Sequence, residues 1–172
     1  MLSHFLLESP IGTLTLVKTN GVLSGLYTGD PRTESFGPRT DAGFEDVVQQ
    51  LDEYFARKRT MFTVPIAAIG TPFQQRVWAE LMTIPYGETR SYGQLAEAIG
   101  NRSAMRAVGA ANGRNPISII VPCHRVIGSN GTLVGYGGGL ERKQFLLNLE
   151  SPLAKQNMLP AFQRRMRGSE SR

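Results

Sequence analysis

Residues 91–111 read SYGQLAEAIGNRSAMRAVGAA. Ser91 to Ile99 has the pattern of one short helix ended by Gly100, and Ala104 to Ala111 that of a second after a brief turn, which together make a helix-turn-helix signature. The small Ala and Gly residues permit close helix packing, so spacing alone favours an ordinary helical hairpin over a DNA reader. Upstream, Thr71 is an expected cap with Pro72 at the first helical position, and Phe73, Val77, Trp78, Leu81 and Met82 keep helical spacing until Pro85–Tyr86–Gly87. Downstream, Asn112 to Pro116 reads as a loop and Ile117 to Val121 as a short buried apolar run closed by Pro122–Cys123–His124–Arg125–Val126. A glycine-rich stretch, 128–139, then leads to a last helix, Glu141 to Glu150, with Phe145, Leu146 and Leu149 facing inward.

The N-terminal part has a different period. Leu14 and Leu16 on one side of Asn20–Gly21, and Leu23 and Leu26 on the other, predict an antiparallel hairpin between Phe5 and Asp30. Residues 30–43 are polar and rich in Pro and Gly, a loop. Phe44, Val47, Val48, Leu51, Tyr54 and Phe55 follow at helical spacing, with Asp41 as the expected cap. Met61 to Ile69 reads as strand-like, and the composition changes at Gly70–Thr71–Pro72. The expected fold is therefore α+β. Residues 1–70 form a small antiparallel sheet with a helix, 71–150 a mainly helical domain carrying the helix-turn-helix, and 151–172 a basic, flexible tail.

With 172 residues, 41% hydrophobic and 19% charged, the chain is too apolar for disorder and too interrupted by its 19 Gly and 10 Pro for a membrane span. No export signal is visible at MLSHFLLESP, and one cysteine allows no internal disulfide, so a cytoplasmic setting is expected. Two histidines and one cysteine are too few for a usual structural zinc cluster. The charge is uneven: residues 1–75 hold 6 basic and 8 acidic groups, and 76–172 hold 13 and 6. A basic second half suits a polyanionic partner.

A lone cytosolic cysteine is most often a small buried hydrophobe. Cys123, however, lies between Pro122 and the pair His124–Arg125, which can lower a thiol pKa and remove its proton. His124 needs a third group to orient it, and Glu150 is a candidate. Cys–His adjacency alone leaves a thiol hydrolase and a transferase both open.

The string NPISIIVPCHRVI at 115–127 closely resembles the active-site signature of the O6-alkylguanine-DNA alkyltransferases, the methylated-DNA–protein-cysteine methyltransferases. The resemblance extends to PYGETRSYGQLA, RAVGAANGRNP and GYGGGLERKQFLLNLE, and more loosely to SPIGTLTL. It implies a ribonuclease-H-like N-terminal unit and a repair reaction in which Cys123 irreversibly takes an alkyl group from O6 of guanine, with O4 of thymine left open as a second substrate. By the same resemblance, His124 activates the thiol through a water, Glu150 orients His124, Tyr92 donates toward N3 of the departing base, and Asn115 holds the turn before the active-site strand. Arg106 is the finger that fills the duplex after base flipping. Ala104, Ala107 and Gly109 let the helix approach the minor groove, and Arg102, Arg114 and the tail arginines contact phosphates. Tyr136 packs over the flipped base, whose polar edge is read by the backbone of Val126 and Gly137.

Met105 departs from the family's usual alanine, Arg102–Ser103 lacks its usual proline, and Gly137 stands where some members have serine. The resemblance implies no metal and no cofactor. The expected partner is double-stranded DNA containing alkylated guanine, with no membrane. The chain is expected to be a monomer in solution, assembly on DNA being left open. Two rivals remain: a lesion-binding module without transfer, against which Cys123 argues, and a cysteine hydrolase, which gives Arg106 no role.

Overall fold

Asn20 and Gly21 take φ of 51° and 81°, the pair of positive angles that a two-residue turn between twisted strands requires. They join β2 (Gly12–Thr19) to β3 (Val22–Thr28), and a second tight turn at Pro10–Ile11 joins β1 (Leu2–Ser9) to β2, giving an antiparallel sheet in the order β1-β2-β3. The computed structural model describes residues 1–29, 31 and 33–152. The residues of the tail beyond 152, with the arginines expected there to contact phosphates, lie outside the described residues.

Leu14, Leu16, Leu23 and Leu26 are fully buried, each contributing about 1.5–3 kcal/mol relative to an exposed position. Helix α1 (Glu45–Phe55) lays Val47, Leu51, Tyr54 and Phe55 into the core. Asp41 does not cap it. The cap position is Phe44, which makes no side-chain cap bond, and the acids of the first turn serve instead: Asp46 accepts from Val47 N at 2.8 Å and Glu45 from Gly43 N at 2.9 Å. Acids inside the first turn sit closer to the helix's positive end than an acid in the preceding loop. Residues 61–70 run as an extended strap with alternating exposure, and only Ile66 bridges the sheet, at Leu23, so this stretch is a covering for the edge rather than a further strand.

Two capping boxes start the next helices. Thr71 and Gln74 exchange bonds at the head of α2 (Pro72–Leu81), and Ser91 and Gln94 do so for α3 (Tyr92–Ala98). Between them β4 (Arg90–Ser91) pairs in parallel with β5 (Val126–Ile127). The second helix of the helix-turn-helix is α4 (Met105–Gly113), two residues longer at its C-terminal end than the sequence suggests, so Asn112 and Gly113 are helical. Trp78 in α2 donates its indole N–H to the Ala111 carbonyl at 2.9 Å and ties α2 to α4. Helix α5 (Leu140–Glu150) closes the fold with Phe145, Leu146 and Leu149 buried, as the spacing predicts.

One hydrophobic cluster runs through both halves of the chain. The free edge of β3 is closed by the second half: Leu26 N donates to the Pro116 carbonyl at 2.8 Å and Ser118 N to the Leu26 carbonyl at 3.0 Å. That contact covers a sheet edge and fixes the loop that leads to Cys123. The expected active-site strand is not formed. Residues 117–121 instead fold back on themselves, with Ile120 N bonded to Ser118 O and Val121 N to Ile117 O, and Ile119 holds φ at 71°. A left-handed β-branched residue is strained, and burial of Ile119 together with the bonds around it keeps the conformation.

Candidate active site

Asn115 closes this fold-back. Its Nδ2 donates to the Val121 carbonyl at 2.7 Å while its Oδ1 accepts from Ile117 N at 3.0 Å, so one buried side chain spans both ends of the strained loop. The chain then enters a single helical turn, Cys123–Arg125. Cys123 is buried and lines a cleft of about 340 Å³ that also presents Asn112, Asn115, Ser118, Tyr136 and Gly137, a volume in the range of small-ligand sites. Tyr27 and Thr28, at the end of β3, supply a wall from the N-terminal half.

Behind the thiol lies a buried ionic cluster. His124 is wholly inaccessible, and its Nε2 stands 2.6 Å from Glu150 Oε2. The same carboxylate accepts from the Tyr54 hydroxyl at 2.5 Å and from Arg125 at 2.6 and 3.1 Å. Burial by itself raises the Glu150 carboxyl, but His124 and Arg125 overcome it and hold its pKa at about 2. A carboxylate at Nε2 places the ring's proton there, which leaves Nδ1 as the acceptor when the imidazole is neutral. That nitrogen is buried and has no partner among the described residues.

Arg125 does not act on the thiol, contrary to the reading of His124–Arg125 as a pair that lowers its pKa. Its guanidinium binds Glu150 and the Ile84 carbonyl and faces the Tyr86 ring. Burial pushes the Cys123 thiol up, opposed by the Asn115 side chain, the Lys143 charge and Ser118. A side chain two positions along the sequence points elsewhere when a stronger counter-charge is in reach, and Glu150 is that counter-charge.

Lys143, absent from the sequence-based reading, is fully buried and donates to the carbonyls of Val126 at 2.5 Å and Val134 at 2.9 Å. Burial lowers its pKa. Lys143, Leu146 and Glu150 recur at positions i, i+3 and i+7 of α5, so the signal was available: two charges on the apolar stripe of a helix. Tyr54, on the stripe of α1, gave no such sign.

The remaining predicted residues fall into two groups. Tyr136 lies in the cleft with its hydroxyl buried and without a close hydrogen-bond partner among the described residues, and Val126 is buried with its carbonyl on Lys143. Tyr92 is half-buried, and its hydroxyl donates to the Val134 carbonyl at 3.1 Å. Gly109 lies against it, where a Cβ would come within 3.8 Å of the Tyr92 ring. Arg102, Arg106 and Ala107 are exposed on the helix-turn-helix, outside the cleft, whereas Arg114 is exposed at the cleft's margin.

This architecture is shared. Residues 2–68 match the ribonuclease-like domain of 6-O-methylguanine DNA methyltransferase and residues 72–152 match its DNA binding domain. The methylated-DNA–protein-cysteine methyltransferase of Mycobacterium leprae is 55% identical over 148 residues, covering 84% of this chain and 89% of that protein. The Mycobacterium tuberculosis protein of the same name is 52% identical over 158 residues, covering 90% and 95%. Among solved structures, Mycobacterium tuberculosis OGT in complex with DNA superposes with a TM-score of 0.82 at 51% identity, covering 90% of this chain and 98% of that one. The chain belongs to the 6-O-methylguanine DNA methyltransferase family.

Proposed function

We propose that this protein repairs alkylated DNA by direct reversal, moving the alkyl group from O6 of a guanine to Cys123 once per molecule. The observation that carries the reading is the thiol on the cleft wall, followed in sequence by a buried histidine pinned to a carboxylate at 2.6 Å through one nitrogen, with the other nitrogen unpartnered among the described residues. His124 Nδ1 takes the thiol proton through a water, and Glu150 steadies the imidazolium so formed. The thiolate attacks the alkyl carbon; an S–C bond forms as the C–O6 bond breaks, and the electron pair passes to the purine. Tyr92, turning from the Val134 carbonyl, donates toward N3 and offsets that charge.

Duplex DNA is the partner. Arg106 enters it as the target nucleotide leaves the stack, Arg102 and Arg114 contact phosphates, and Ala107 and Gly109 let α4 approach the minor groove. Tyr136 packs on the extruded base, and the backbone at Val126 and Gly137 reads its edge. Residues 71–150 carry the binding and the chemistry, while residues 1–70 brace the cleft through the Leu26–Pro116 contact. The protein acts as a monomer. None of the described helices is long and apolar enough to cross a membrane.

Intact-protein mass spectrometry with excess duplex containing O6-methylguanine, followed by peptide mapping, tests the reading. One added methyl on Cys123, with guanine restored and the reaction stopping at one equivalent, is expected. Lesion binding with no mass change would overturn it in favour of a recognition module, and continued turnover in favour of a hydrolase.

A further inference from the structure

Asn112 is 1% exposed in the last turn of α4 and lines the cleft beside Cys123. Its Nδ2 points to the Cys123 carbonyl at 3.4 Å, which sets the orientation of the amide. Its Oδ1 is shut off from solvent and finds no donor among the described residues. A buried acceptor without a donor costs stability and calls for an explanation, a ligand that brings the missing N–H being one. Of the two other buried unpaired atoms at this site, His124 Nδ1 takes the thiol proton in the reaction described above, and Tyr136 Oη belongs to a side chain used there through its ring. Asn112 has no role there.

The chemistry of the lesion narrows what can satisfy it. Alkylation at O6 removes the N1 proton of guanine, so N1, N3 and N7 of the lesion are all acceptors. The one N–H donor left on the base is the 2-amino group. C2 is bonded to N3, the atom assigned to Tyr92, and the Asn112 side chain is hydrogen-bonded to Tyr92, its amide N–H facing the phenol oxygen.

We propose that Asn112 Oδ1 accepts a hydrogen bond from the 2-amino group of the flipped O6-alkylguanine, which makes Asn112 a determinant of base specificity. The inference rests on the proposed reading that the lesion enters this cleft. It separates the guanine lesion from rings that carry the same alkoxy group without the amine, because a polar site rejects an analogue that leaves its buried group unpaired.

The test compares single-turnover transfer from two duplexes that differ only at the lesion, O6-methylguanine and O6-methylhypoxanthine, the latter lacking the 2-amino group. The wild-type protein is expected to react faster with O6-methylguanine by about tenfold. In Asn112→Leu that preference collapses toward one, through slower reaction with O6-methylguanine, while Asn112→Asp, which keeps an acceptor, retains it. Asn112→Ala replaces the leucine variant should the latter fail to fold. A wild-type ratio near one overturns the proposal without any variant. So does a variant that slows both substrates equally, which is what a residue that only supports the Cys123 carbonyl would do. Absence of methyl on Cys123 from either duplex in the wild type would instead show that the underlying reading is wrong.

Discussion

Tyr54 and Glu150, 96 positions apart, meet at 2.5 Å in the interior, the phenol of α1 donating to the carboxylate that ends α5. The bond joins the N-terminal half to the residue that orients His124. Tyr54→Phe leaves the ring packing intact and removes one donor from a buried anion, so it is expected to cost about 1.5–3 kcal/mol. Urea denaturation of the two proteins measures this.

Glu150 also sets an acid limit. Its folded pKa of about 2 lies below the ordinary 4.5, so the stabilisation is complete above pH 4.5 and is lost as pH falls from there toward 2. The pH-dependent part amounts to roughly 3 kcal/mol. A stability profile over this window is expected to flatten in Glu150→Gln, which also loses transfer.

Lys143 is the cation that opposes burial at the thiol. In Lys143→Met the thiol pKa rises further, the ascending limb of the pH–rate profile shifts to higher pH, and transfer at neutral pH falls by about tenfold or more. Single-turnover kinetics across pH detects both changes, whereas a purely structural loss would lower the rate without moving the limb.

Removing Asn115 frees the ends of the fold-back that holds Ile119 at its strained angle. Asn115→Ala is expected to cost about 2 kcal/mol and to slow transfer more than it weakens binding to DNA, because the thiol is displaced while the helix-turn-helix is untouched. Binding and transfer are assayed on the same duplex.

Arg106 is exposed, so Arg106→Ala is expected to leave stability within about 0.5 kcal/mol. Its effect falls on duplex substrates, about tenfold in transfer, with little change on single strands, where no stack has to be filled. Equal losses on both would remove the finger role.

Much of the fold was legible in the sequence because its signals are local. Asn20–Gly21 demands a particular turn, Thr71–Pro72 opens a helix, and the stripes of α1, α2 and α5 repeat at helical spacing. The misreadings came from tertiary competition. Ile117 to Val121 has the residues of a buried strand, but the edge it meets on β3 is engaged only at Leu26, and Asn115 gathers the rest into a turn. Arg125 stands two positions from the thiol in sequence, but its partner, Glu150, lies 25 positions away. Lys143 stands on an apolar stripe, a signal that the sequence does carry, whereas the bond from Tyr54 to Glu150 leaves no trace in either segment.

The order of these residues along the chain has a bearing on synthesis. Tyr54, Cys123, His124 and every residue lining the cleft leave the ribosome before Glu150, which arrives 26 positions after His124. Until α5 is translated to its last residue, the imidazole has no anchor and Lys143 has no packed helix to hold it beside the thiol. On the proposed reading, a nascent chain that stops short of Glu150 therefore carries the thiol without the groups that activate it, and it becomes competent for transfer only once α5 is complete.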